Sequence, residues 1–148
     1  MKKSLFRLID RVELLICYIL CFGFNAMFDY VKTIDIDSYL LKSFFKQFYD
    51  YRGIIAFLLT LVVVVFHYQM LNRKKVEVYC RVLVGDTAWR VATRYIVDCL
   101  VILAMAFGIS MIADIILSIS LTNNIYLSCV FVIYILISSG MVSRFENI

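Results

Sequence analysis

The sequence predicts an all-α integral membrane protein: four membrane-crossing helices in a single domain over residues 1–148. Three observations predict it. Apolar residues make up 64% of the chain and proline is absent, which is more apolar surface than a water-soluble chain of 148 residues can hide. The apolar residues fall into four runs, about 12–28, 53–71, 95–121 and 125–143, against a requirement of about 20 residues to cross a hydrocarbon core of about 30 Å. Charge is segregated between those runs, with a strong basic excess on one side only.

The first segment, Met1 to Arg11, holds Lys2, Lys3, Arg7 and Arg11 against Asp10. Leu5, Leu8/Ile9 and Val12 form an apolar stripe, which predicts an amphipathic helix at the membrane surface leading into the first span. The uncharged core of that span, Leu14 to Phe28, is short, so Glu13 is expected either near the interface or snorkelling with Arg11. No small-residue cleavage site follows the run, and it reads as a retained span.

Asp29 to Arg52 is the polar connection on the opposite side, with four basic and four acidic residues. Asp35, Asp37 and Ser38 are N-cap choices, and Leu40/Leu41, Phe44/Phe45 and Phe48 then recur at helical spacing. A short amphipathic helix in the headgroup region, or packed on a partner, is expected here. Asp35-x-Asp37 alone is too little for a calcium loop. The second span, Gly53 to Leu71, carries His67 near its end as a hydrogen-bonded interfacial residue.

Asn72 to Asp98 is the most strongly biased polar break. Arg73, Lys74, Lys75, Arg81, Arg90 and Arg94 oppose only Glu77 and Asp86 before Asp98 is reached. Val76, Tyr79/Cys80 and Leu83 share one helical face. Gly85 sits where a left-handed stop suits glycine best, and Asp86 and Thr87 are N-cap candidates for a helix through Trp89. The expected form is a short helix, a glycine bend and a capped helix entering the third span. Most basic connectors of this kind only fix topology, and that reading stands beside one in which the elbow is gripped by a partner.

The third span carries Asp98, one turn after Arg94 and so available for an i,i+4 pair, and Asp114, well inside the apolar run. A carboxylate at Asp114 must face protein, water or a proton. Ala104/Gly108 and Ala106/Ser110 are two small-xxx-small pairs suited to close helix packing. Thr122-Asn123-Asn124 reads as a tight turn before the fourth span. The N-terminal segment sums to +3, the elbow to +4 and the opposite loop to zero, which predicts both termini and the elbow in the cytoplasm of a bacterial cell.

Several chemistries are not indicated. The five glycines are scattered and form no nucleotide-binding loop, and the lone His67 makes no histidine-rich metal site. No polar domain with a basic face is present for nucleic acid. Cys17, Cys21, Cys80, Cys99 and Cys129 lie in or beside apolar segments rather than paired in the loop opposite the elbow, unlike a four-span thiol oxidase. No catalytic residue, cofactor site or metal site is assigned.

The elbow resembles the coupling loop of FtsX/MacB-type ABC transporter permeases. The match runs through the basic run Arg73-Lys74-Lys75, Glu77, Gly85, Asp86-Thr87 and Asp98, with Arg81, Leu83 and Val91 in basic and apolar slots, and covers about 27 residues closely. The rest of the chain matches in span order only. The resemblance implies a non-catalytic subunit that pairs with a second permease copy or homologue and takes its drive from a separate cytoplasmic ABC ATPase. It implies charged ATPase contacts from Arg73, Lys74, Lys75, Glu77 and Arg81, with Val82, Leu83, Gly85 and Trp89 shaping the docking groove. The family's large outer domain is reduced here to residues 29–52. Peptide or bacteriocin export or resistance is one expected role. The alternative is a small accessory or immunity protein that binds another membrane protein and needs no ATPase.

Overall fold

The computed structural model describes residues 7–35 and 37–144. They form five helices: α1 (Leu8–Thr33), α2 (Tyr39–Asp50), α3 (Arg52–Leu83), α4 (Ala88–Ile116) and α5 (Thr122–Arg144). Four of these, α1, α3, α4 and α5, are long and apolar enough to cross a membrane. The chain is an all-α, multi-pass membrane protein. Of the expected N-terminal amphipathic segment, residues 1–6 lie outside the described residues, and Leu8 to Arg11 run without a break into α1.

The helices do not pack in simple sequence order. α4 lies most extensively against α1 and α5, and α1 also touches α3 and α5. α3 is the more loosely held member, contacting chiefly α1 and α5. One core runs through the bundle, from Leu14, Tyr18 and Phe22 of α1 to Met70 of α3, Tyr95 of α4 and Phe131 of α5. Phe131 meets both Tyr18 and Phe22, at ring separations of 5.2 and 5.9 Å. The remaining faces of the four long helices expose Ile, Leu, Val and Phe, as lipid-facing surfaces do.

Two helix ends fall away from the sequence expectation. α3 does not stop at Leu71. It continues through Arg73-Lys74-Lys75 to Leu83, because Lys, Arg and Glu are good helix formers and neither glycine nor proline interrupts them. The polar break is therefore the end of a 32-residue rod, not a separate short helix. α4 stops at Ile116, five residues short of the expected Leu121. Ser118 turns left-handed at φ 55°. The amide of Ser118 donates to Ile115 O and that of Ile119 to Asp114 O, at 3.2 and 2.9 Å, closing a Schellman motif with Ile119 tucked into the core. Nothing in the apolar run Leu117-Ser118-Ile119-Ser120-Leu121 announces this stop, since its left-handed residue is not glycine.

α2 occupies the expected amphipathic stretch, with Ser38 at its N-cap position. Its apolar residues Leu40, Leu41, Phe44 and Phe48 are exposed, and it touches the bundle lightly through the stack of Phe48 on Phe28 at 6.1 Å. Of the two small-residue pairs, Ala106 and Ser110 are buried in the bundle. Ala104 and Gly108 face outward, and no atom stands within 4 Å of where a Cβ on Gly108 would lie.

Candidate functional site

α3 and α4 meet in a helical hairpin that projects past the apolar spans. The twelve residues from Asn72 to Leu83 extend α3 by about 18 Å beyond Leu71. Gly85 closes the tip at φ +102°, a conformation strained for any residue with a Cβ. Its amide donates to Val82 O at 3.0 Å, and the amide of Asp86 to Arg81 O at 3.1 Å, a second Schellman turn. Thr87 holds the N-cap position of α4 without a side-chain cap bond. Asp86 instead accepts Arg94 at 3.2 Å and faces Arg90 at 3.6 Å, so the bend is braced by ion pairs.

The hairpin turns its apolar stripe outward. Leu83 is 68% exposed, Val84 89% and Trp89 79%, with Val76 and Tyr79 exposed on the same extension. The periodicity of Val76, Tyr79 and Leu83 thus marks a surface, not a core contact. The opposite face of the extension, through Lys74 and Val78, is the buried one.

The expected contact charges divide into two groups. Lys74, Glu77 and Arg81 are held inside the chain: the Lys74 ammonium lies 3.0 Å from Asp10 and 3.4 Å from Glu77, which in turn accepts Arg81 at 2.9 Å. Arg73 remains more exposed and reaches Glu13 at 3.4 Å, and Lys75 is half-buried. Two expected pairings are replaced. Glu13 faces Arg73 rather than Arg11, and Arg11 lies 4.0 Å from Asp98 while Arg94 holds Asp86. These bridges tie the start of α1 to the hairpin side of α3 and α4, partners that no local spacing reveals.

His67 is not interfacial. It is 0% exposed where all four long helices meet, with its Nε2 2.7 Å from the Tyr18 hydroxyl and its Nδ1 3.1 Å from the Tyr95 hydroxyl. A neutral imidazole donates at one nitrogen and accepts at the other, so it satisfies both tyrosines in one tautomer. Tyr134 of α5 meets the ring edge-on at 5.4 Å, and its hydroxyl donates to Val64 O at 3.0 Å.

A second polar network fills the other end of the bundle. Asp114, fully buried, accepts a short hydrogen bond from the Asn124 amide, which also donates to Ser110 at 3.1 Å. Asn25 donates to Asn124 Oδ1 at 2.8 Å and accepts from Arg52 at 3.3 Å. Arg52 pairs with Asp29 at 2.9 Å, and Asn123 donates to the same carboxylate at 2.9 Å. Asp114 Oδ1 has no hydrogen-bond partner among the described residues. Asn123 and Asn124, read from the sequence as turn residues, are thus working parts of the first turn of α5; the composition of a turn and of a buried amide network is the same.

Among the described residues no cluster of three or more His, Cys, Asp or Glu is placed to hold a metal ion, and all five cysteines are free. Comparison with family models, curated proteins and solved structures returns no match.

Proposed function

We propose that this chain is the membrane subunit of an ABC transporter in a bacterial plasma membrane, driven by a separate cytoplasmic ATPase through the α3–α4 hairpin. The observation that carries the reading is the tip itself. Leu83 and Val84 are exposed at the tip, about 18 Å along α3 beyond its apolar part, and Trp89 is exposed in the first turn of α4 beside them. Exposed aromatic and aliphatic anchors next to an exposed arginine, Arg90, are the composition of a protein-docking surface. The basic excess of the same hairpin supports its cytoplasmic placement, with both termini on that side.

Within this reading the predicted coupling residues take different roles. Trp89, Leu83 and Arg73 belong to the contact surface. Lys74, Glu77 and Arg81 stiffen the extension, and Gly85 sets its angle. A second copy or a homologue completes the permease, and the ATPase does the hydrolysis.

The test is co-purification and stimulated ATP hydrolysis with the ABC ATPase encoded nearest to the chain. Trp89→Ala and Leu83→Ser, which remove exposed side chains only, are expected to lower association by about tenfold or more while leaving the protein folded. Association equal to wild type in both variants would exclude the hairpin as the coupling element. The short connection between α1 and α3, in which α2 is the helix described, favours a second reading: an accessory or immunity protein acting on a membrane partner without an ATPase. That reading expects the same variants to weaken binding to a membrane protein instead.

A further inference from the structure

A cleft of about 430 Å³ opens between α1, α3 and α5 on the α2 side of the bundle. It falls within the range of roughly 300–1,000 Å³ typical of small-molecule sites. Its polarity is graded along its length. Arg52, Asn25 and Asn123 line the end beside α2, while Phe57, Leu59, Leu127 and Val130 line the stretch toward the middle of the spans. From Arg52 to Thr60 the cleft runs about 12 Å down α3, close to the depth of one leaflet's hydrocarbon. Toward the middle of the spans the Cys21 thiol lies 4.0 Å from Leu59 O, both residues being part of the cleft wall.

We infer that this cleft binds an anionic phospholipid of the leaflet on the α2 side, phosphate at Arg52 and one acyl chain along the apolar wall. Among the described residues, Arg52 is the only charged one lining the cleft. Two of its five N–H donors are engaged, by Asp29 and Asn25, which leaves a fork of donors for a phosphate oxygen. A second cation, Lys32, stands over the same Tyr49 ring as Arg52, at 5.5 and 5.7 Å from its centre respectively. The headgroup plane is marked independently. α2 presents Leu40, Leu41 and Phe44 exposed, as a helix resting on a bilayer does, and leads through Tyr51 into α3 at Arg52. Phosphate level and guanidinium level therefore coincide. The inference does not depend on which leaflet that is, nor on the ATPase.

The test uses the full chain in nanodiscs of mixed phosphatidylglycerol and phosphatidylcholine, with a phosphatidylglycerol bearing a diazirine on its acyl chain, and mass spectrometry of the labelled peptides. Label is expected in residues 21–28, 53–60 and 123–130. Ala56→Phe fills the cleft without touching the polar network and is expected to remove most of that label, while labelling around the outward Ile112 and Ile115 is unchanged. Arg52→Gln is expected to reduce the preference for phosphatidylglycerol over phosphatidylcholine by about tenfold. Cleft labelling unaffected by Ala56→Phe overturns the site. Labelling lost in Ala56→Phe but indifferent to headgroup overturns the phosphate assignment. Cross-links from these segments to a second copy, in place of lipid, overturn the choice of occupant.

Discussion

Lys74 and Asp10 form the most enclosed ion pair in the chain's hairpin region, with side chains 9% and 12% exposed. Charges so placed gain little over a well-packed apolar pair, yet removal of one partner strands the other. Lys74→Met is expected to destabilise the protein by about 3–5 kcal/mol, read as a large drop in the apparent melting temperature in detergent. The double variant Asp10→Leu/Lys74→Met is expected to recover most of the loss, because no carboxylate is left buried alone. Equal melting of the single and double variants would show that the pair is solvated. Such pairs were hidden in the sequence for a physical reason. Asp10 and Lys74 lie on different helices, and a basic run reads the same whether its members face water or a carboxylate. The same holds for His67. A single histidine carries no neighbouring ligand signal, and the hydroxyls that hold it come from Tyr18 and Tyr95 on two other helices.

At the scale of the element, two helix ends set the length of what they terminate, and they differ in chemistry. Gly85 takes its left-handed turn without a Cβ, whereas Ser118 takes the same kind of turn with one. Gly85→Val is expected to cost about 1–2 kcal/mol through backbone strain alone, because no atom stands within 4 Å of the new Cβ. Ser118→Gly is expected to move stability the other way, by up to about 1 kcal/mol. Thermal unfolding of both variants checks the pair of signs. Gly85 was legible as a stop because glycine at the end of an apolar period is a strong local signal. Ser118 was not, since only the tertiary seat of Ile119 in the core selects that turn. The amphipathic α2 was legible for the converse reason: Leu40, Phe44 and Phe48 repeat at helical spacing whatever covers them.

For the whole molecule, the span count and the all-α class follow from apolar run length, which is a property of the chain and the bilayer together. Helix adjacency does not follow. α1 sits against α3, α4 and α5, a choice made by shape and by the buried polar groups that must find one another. The proposed orientation has a direct check. Cys80 is exposed on the hairpin, and Cys129 is exposed on the apolar face of α5. A membrane-impermeant maleimide applied to intact cells is expected to leave Cys80 unlabelled and to modify it once the membrane is opened. Labelling of Cys80 in sealed cells would invert the topology.

One consequence lies in the 32-residue length of α3. His67, clasped between Tyr18 and Tyr95, falls near the waist of this rod, with arms of about 22 Å to Arg52 and about 24 Å to Leu83. A beam pivoted at its centre returns any thrust at one tip as an opposite swing of similar size at the other. A rock of about 10° would carry both tips about 4 Å. A shove delivered at the glycine bend would thereby shift the guanidinium at the far mouth of the cleft, with the imidazole as fulcrum.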